Sequence, residues 1–322
     1  MSYDLCAIGN ALVDILVSTD DAFLKTNAVT KGSMTLVDDG RSKELYQKAG
    51  AAVEMASGGS AANTLAGLSS LGGTSAFMGK VGLDEFGKIF THDLQAQNVH
   101  FTTPPSRDLA TGRCLILVTP DAQRSMNTFL GAAVEFGPDD VDATLVQQAS
   151  ITYLEGYLFD KPTAQAAFRK AAKLVHDAER RLALTLSDGF CVARHRDAFL
   201  DLVSGEVDIL FANEDELKSL YQTQDLKAAL AAVRGHTEIA VVTRGAKGAV
   251  IATKEQLYDI PAHPVSSVID TTGAGDLYAA GFLYGLTQGK TLSEAGRIGA
   301  IAASEVISHY GPRPQKKLRD LI

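Results

Sequence analysis

Between residues 151 and 308 short apolar runs alternate with amphipathic stretches, and that alternation limits what this chain can fold into more than any other feature. Residues 151–154, 182–186 and 207–211 are apolar β-type runs, each followed by a helical pattern. Residues 239–243 and 248–252 read as strands flanking a turn, and 275–286 and 292–308 as long helices. Strands and helices that alternate in this way build a parallel sheet covered by helices on both faces. The expected fold is a three-layer α/β/α, Rossmann-like domain whose ligands sit at the carboxyl ends of the strands.

The N-terminal part departs from that rhythm. Residues 61–71, 75–81 and 85–97 read as helix, strand and helix, and the apolar run 5–8 resumes over 12–17 as a strand interrupted or bent at Gly9. Residues 33–37 and 52–55 read as short strands of modest hydrophobicity around a polar helix, and 113–119 (RCLILVT) is a further stretch of this kind. These pieces predict a small β-rich subdomain made of insertions, about 15–57 and 108–130, over the larger core of one domain spanning 1–322.

With 322 residues and 46% hydrophobic content, a large core is readily buried. A formal charge of −8 argues against a surface that tracks nucleic acid phosphates. Cys6, Cys114 and Cys191 form no CxxC pair, which suggests neither a disulfide framework nor a zinc site. No apolar run approaches the roughly 18 residues of a membrane span, and MSYDLCAIGN has no basic region before an apolar one, so a cytoplasmic location is expected.

Four stretches could carry chemistry. Asp270-Thr271-Thr272-Gly273-Ala274-Gly275-Asp276 follows a β-type segment, 265–269, and opens an apolar helix. Its glycines let the backbone approach a ligand and leave N–H groups at the positive end of a helix dipole, an anion hole. Asp276, in the first helical turn, could take a proton from an alcohol. Read alone, the stretch is equally a glycine turn followed by an ordinary first-turn acid. Gly58-Gly59-Ser60-Ala61-Ala62-Asn63 precedes a helix and places Asn63 on its first turns, or is a loop and N-cap. Asn213-Glu214-Asp215-Glu216 ends a strand, where an amide and carboxylates could order magnesium-bound waters, or is an acid-rich helix start. Thr243-Arg244-Gly245-Ala246-Lys247-Gly248 makes a turn with room for a nucleotide, or a plain hairpin.

Three other patterns fail. Gly285 to Thr291 imitates a P-loop with one residue too few between its glycines, and it follows a helix. His195-Arg196-Asp197 lacks the Asn of a protein-kinase catalytic loop, that position being Leu202. The seven histidines show no HExxH or other metal spacing.

Together the four stretches, in this order and spacing, resemble the ribokinase-like carbohydrate kinase (PfkB) family along nearly the whole chain. Residues 58–63 match its N-terminal signature, DTTGAGD its C-terminal one, and NEDE contains its Asn-x-x-Glu element. Within the family, GNALVDIL at 9–16, the stretch 110–132 and Leu210-Phe211-Ala212-Asn213-Glu214 are more similar to the adenosine kinase branch than to ribokinase or fructokinase.

The resemblance implies a ribokinase-like fold with a lid, and ATP-dependent phosphorylation of the 5′-hydroxyl of a nucleoside, adenosine above all, giving AMP and ADP. A sugar kinase acting on ribose or fructose, and an inactive nucleotide sensor, are the alternatives. It makes Asp276 the base and the N–H groups around Gly273, Ala274 and Gly275 the anion hole. It gives Asn213 and Glu216 to magnesium-bound waters beside ATP, with Thr243, Gly245 and Gly248 on the nucleotide. It assigns Asp270 and Thr272 to a potassium-type cation. Asp14, with Asn10, Gly59 and Asn63, would bind sugar hydroxyls, and Tyr157, Phe129 or Leu16 would contact a base or belong to the core. Arg124, just after the strand RCLILVT, would swing onto the transferring phosphate or be a solvated turn residue. The expected partner is a small molecule, bound by a monomer or homodimer.

Overall fold

The apolar run at the start of the chain divides at Gly9 because its two halves belong to different sheets. β1 (Tyr3–Ile8) lies in a nine-stranded sheet and β2 (Leu12–Ser18) in a five-stranded one. The computed structural model describes residues 2–121 and 123–322. After β2 come α1 (Asp21–Thr26), β3 (Met34–Leu36), α2 (Asp39–Ala49), β4 (Glu54–Gly58), α3 (Ser60–Leu71), β5 (Ser75–Met78), α4 (Glu85–Ala96), β6 (Val99–Phe101), β7 (Gly112–Val118) and β8 (Arg124–Phe129). There follow α5 (Ala143–Gln148), β9 (Ala149–Glu155), α6 (Pro162–Asp177), β10 (Arg181–Thr185), α7 (Gly189–Gly205), β11 (Ile209–Asn213), α8 (Glu214–Leu220) and α9 (Leu226–Val233). β12 (Ile239–Thr243), β13 (Ala249–Thr253), β14 (Leu257–Ile260), α10 (Ala274–Thr287) and α11 (Leu292–Val306) complete the regular structure.

The large sheet runs β14-β13-β12-β11-β10-β9-β1-β5-β6, parallel from β12 to β6, with β13 and β14 added antiparallel. Alternate residues of each strand enter opposite cores. Cys6 and Ile8 pack with α5, α6 and α7, for example against Val146, Phe168 and Phe199. Leu5 and Ala7 pack with α3, α4 and α10, for example against Leu65, Phe90 and Phe282. The three layers follow directly.

The five-stranded sheet runs β3-β8-β7-β2-β4. Its β7 donates Arg113, 3% exposed, to the carboxylate of Asp39 on α2 at 2.8 Å, and the guanidinium lies between the rings of Phe86 and Phe129. A buried cation persists only with such partners.

Two local expectations are corrected. Residues 265–269 form no strand: Val268 and Ile269 are exposed, and the amides of Ile269 and Asp270 donate to the carbonyl of Ile307 at the end of α11. Their β-branched side chains imitate a strand, but the sheet ends at β14. Arg124 is not a turn residue; it is the first residue of β8, paired with Val118. Among the described residues no helix is long and apolar enough to cross a membrane.

Candidate active site

The carboxyl ends of β1, β9, β10, β11 and β12 open onto one cavity of about 940 Å³. Its far wall is the five-stranded sheet, through Leu12, Leu36, Met126 and Thr128, and the turn 271–276 leads into α10 at its edge. This is where a parallel sheet collects ligands.

α10 starts abruptly. Gly273 is its N-cap with φ +78°, in the left-handed region, and no side chain caps the first turn. A Cβ at Gly273 would stand 2.6 Å from the carbonyl oxygen of Pro312, so only glycine fits. A Cβ on Gly275 would meet nothing, so that part of the turn is open to a ligand. Of the N–H groups expected to form the anion hole, that of Ala274 donates to Thr271 O at 3.2 Å. The dipole of a 14-residue helix nonetheless points its positive end into the cavity.

Asp276 is bracketed from α3. Ser60 Oγ donates to Oδ1 at 2.6 Å and Asn63 Nδ2 to Oδ2 at 3.0 Å. Burial raises the proton affinity of this carboxyl above the ordinary aspartate range, and the Ser60 and Asn63 bonds pull it back. A carboxylate has about four lone-pair directions, so two donors leave it able to accept another proton. Asn63 is 5% exposed, and its amide is turned to Asp276 rather than to the cavity.

Asn10, at the end of β1, lines the cavity and donates through Nδ2 to Glu155 Oε1 at 2.9 Å. Glu155 ends β9, is 1% exposed, and takes the amide of Ala61 on its other oxygen at 2.9 Å. Burial drives its carboxyl from 4.5 to about 7, against the lowering effect of these bonds. Gly59 also lines the cavity, with φ +96°, and a Cβ there would stand 2.3 Å from the carbonyl oxygen of Asn10.

On the opposite side Asn213 caps α8 in a reciprocal box. Asn213 N and Nδ2 donate to Glu216 Oε2 and Oε1 at 2.9 and 2.6 Å, and Glu216 N returns a bond to Asn213 Oδ1 at 2.8 Å. Burial raises the Glu216 carboxyl to about 7. Among the described residues no group of three His, Cys, Asp or Glu could ligate a metal directly. The pair therefore fits a cation held through its waters rather than one bound in a protein cage. Thr243 lines the cavity; Gly245 and Gly248, with φ +57° and +79°, shape the β12–β13 turn outside its lining.

Asp14, Leu16 and Arg124 line a separate, smaller cavity of about 190 Å³ beneath the five-stranded sheet, closed by residues 310–315. There Arg124 and Asp270 come together, Nη2 to Oδ2 at 2.7 Å, as an ion pair rather than an aligned hydrogen bond. Asp270 Oδ2 also accepts from Gly311 N at 2.9 Å, and Oδ1 from Thr272 N and Oγ1 at 3.1 and 2.7 Å. Both carboxylate oxygens are thus engaged by protein groups.

The sequence reading passed over Glu155, Ser60 as a ligand of Asp276, Phe190 and Arg313. Phe190 opens α7 beside the cap Asp188 and stands 79% exposed on the cavity wall, near Tyr157. An acid ending the apolar run 151–154 and an apolar residue after Asp188-Gly189 were the available signals.

Comparison with known proteins agrees with this geometry. The model of the pfkB family carbohydrate kinases matches residues 25–318. An adenosine kinase from Sinorhizobium meliloti and a probable sugar kinase from Rhizobium etli CFN 42 each superpose with TM-score 0.92 at 48% identity, over 100% of this chain and 98% of theirs. An Anopheles gambiae adenosine kinase in complex with P1,P4-di(adenosine-5) tetraphosphate superposes with TM-score 0.83 at 26% identity, covering 95% of this chain and 96% of that one. A three-layer α/β fold with a glycine turn and an acid at the head of α10 is that of a phosphotransferase with an alcohol group as acceptor. The chain belongs to the pfkB family of carbohydrate kinases.

Proposed function

We propose that this kinase transfers the γ-phosphoryl group of ATP to the 5′-hydroxyl of adenosine, giving AMP and ADP. The carrying observation is the Asp276 carboxylate at the head of α10, fixed by Ser60 and Asn63 at the edge of the large cavity. The likeness to the Sinorhizobium adenosine kinase and to the Anopheles adenosine kinase complex supports the nucleoside and the adenine nucleotide.

Phosphoryl transfer needs in-line positioning and charge stabilisation more than covalent chemistry. Asp276 accepts the proton of the 5′-hydroxyl as its oxygen bonds to the γ-phosphorus, and the bond to the β,γ-bridging oxygen breaks with its electrons leaving on ADP. The α10 N-terminus at Gly273, Ala274 and Gly275 stabilises the negative charge in transit. Asn213 and Glu216 would hold magnesium through bound waters, and the ion would supply neutralisation of phosphate charge. Thr243 borders the nucleotide. The five-stranded sheet acts as the lid, excludes water, and brings Arg124 to the phosphates. Asn10 and Gly59 face the ribose, Asp14 reaches it only when the five-stranded sheet shifts, and Tyr157 and Phe190 offer apolar surface to the base. Asp270 and Thr272 would hold a monovalent cation once Arg124 leaves the carboxylate. Three free, buried cysteines suit a reducing, cytoplasmic setting.

The test is ADP release with magnesium and potassium over adenosine, inosine, guanosine, ribose and fructose, repeated with Asp276→Asn. Adenosine turnover falling on the order of 10³-fold in the variant is the expected result. Turnover of ribose or fructose with none of the nucleosides overturns the acceptor, and wild-type turnover in the variant overturns the base.

A further inference from the structure

Arg313 lies between Pro312 and Pro314 in a segment held at both ends. Gly311 N donates to Asp270 Oδ2 at 2.9 Å, and Gln315 N and Lys316 N donate to the buried Glu305 Oε1 at 3.1 and 2.9 Å. Flanking prolines narrow the backbone further. From this fixed base the guanidinium spans two side chains. Nη1 donates to Asp93 Oδ2 on α4 at 2.9 Å, and Nε points at Asn63 Oδ1 at 3.4 Å. Asp93 is itself held by the amide of Ser57 at 2.8 Å and by its hydroxyl.

Asn63 stands between a group that only donates and a group that only accepts. Its oxygen faces the guanidinium and its NH₂ faces the Asp276 carboxylate. Flipping the amide would set NH₂ against guanidinium and oxygen against carboxylate, two repulsive contacts in place of two bonds. Without the guanidinium one of those penalties disappears.

We propose that Arg313 is a positioning residue for phosphoryl transfer: it fixes the Asn63 amide so that Nδ2 always donates to Asp276. The chain Asp93–Arg313–Asn63–Asp276 connects α4, the C-terminal segment, α3 and α10, and so sets the direction and basicity of the acceptor of the hydroxyl proton. This rests on Asp276 being that acceptor. The other titratable groups whose charge acts on or feels Asp276 are Glu155 and Tyr153 from β9, Tyr157 just after it, and Glu216 from α8. None of them belongs to the Arg313 chain.

The experiment follows kcat against pH for adenosine in Arg313→Ala, Arg313→Lys, Asn63→Ala and the Arg313→Ala/Asn63→Ala double variant. Losing the Asn63 bond raises the proton affinity of Asp276, so the acidic limb moves to higher pH, by about one unit for one charge-assisted bond. At pH values on that limb kcat of the two Arg313 single variants falls about tenfold, while their alkaline plateau and both KM values stay within about threefold. Arg313→Lys keeps a cation for Asp93 but cannot fork to Asn63, so it folds and shows the same displacement even if the alanine variant does not fold. In the Asn63→Ala background, removing Arg313 adds no further displacement. An acidic limb that stays in place in the lysine variant, or a full-sized displacement without Asn63, overturns the proposal. Wild-type turnover by Asp276→Asn instead removes the base itself, a failure recognisable separately.

Discussion

Arg124 on the five-stranded sheet stands 2.7 Å from the carboxylate of Asp270 at the head of the glycine turn, and so joins two parts of the molecule that share no strand. The guanidinium also lies 5.6 Å from the ring centroid of Tyr310. It is therefore gripped from the turn and from the C-terminal segment together. A guanidinium held by a single carboxylate is drawn more strongly to a polyphosphate, which carries more charge.

Replacing Arg124 with alanine should have two separable effects. Turnover should fall by on the order of 10²–10³-fold, as expected for the loss of a cation from a phosphoryl-transfer site. The vacated Asp270 and Thr272 should take a monovalent cation more readily, so the KCl concentration giving half-maximal rate should drop. Initial rates across a KCl titration measure both, and an unchanged kcat would remove Arg124 from the transfer.

Phe190 is 79% exposed, so its removal costs little packing. The Phe190→Ala variant should melt within about 2 °C of the parent while KM for adenosine rises roughly tenfold, the value of one aromatic face on a base. KM for ATP should hold steady. A parallel rise in both constants would place Phe190 elsewhere than against the base.

Gly273 tests the turn itself. Alanine there must adopt φ +78° with its Cβ 2.6 Å from Pro312 O, a strain of about 2–3 kcal/mol if the backbone does not move. The melting temperature should fall by several degrees, and turnover to about 1% or less. A variant with parental stability and rate would show that the turn relaxes freely.

Glu155 makes stability depend on pH. Its carboxyl titrates near 7 when folded against 4.5 without the burial, so the folded state holds this proton more tightly. Its contribution is greatest below about pH 4.5 and is lost as pH rises through 7, a span worth roughly 3 kcal/mol. Urea unfolding at pH 5 and pH 7.5 should show a smaller pH-dependent loss in Glu155→Gln than in the parent. Identical losses in the two proteins would deny the carboxyl this role.

The large sheet was legible because strands buried on both faces must be apolar at every position, as 182–184 and 239–242 are. The same rule misled at 265–269, where β-branched residues are exposed and pair with no strand. Asp276, Asn63 and Glu216 could be picked out because glycine turns and helix starts mark the ends of strands. Their contacts could not. Asn63 and Asp276 are 213 residues apart, and nothing local to DTTGAGD says that Ser60 will hold its last acid. Asp270 was a cation ligand only by resemblance, and nothing in the sequence pairs its carboxylate with an arginine of the five-stranded sheet. Arg313 has no pattern around it except two prolines, and its meaning appears only once Asp93 and Asn63 are in place.

The segment from Gly311 to Lys316 carries one more consequence, for how the enzyme comes into being. A ribosome delivers the chain from β1 onward, so both sheets, the glycine turn and Asp276 emerge before the residues that brace Asp270 and Asn63. A nascent or prematurely terminated polypeptide can therefore carry every signature motif and still lack these braces. Only a chain made past Lys316 holds Asp270 and the Asn63 amide as the folded enzyme does.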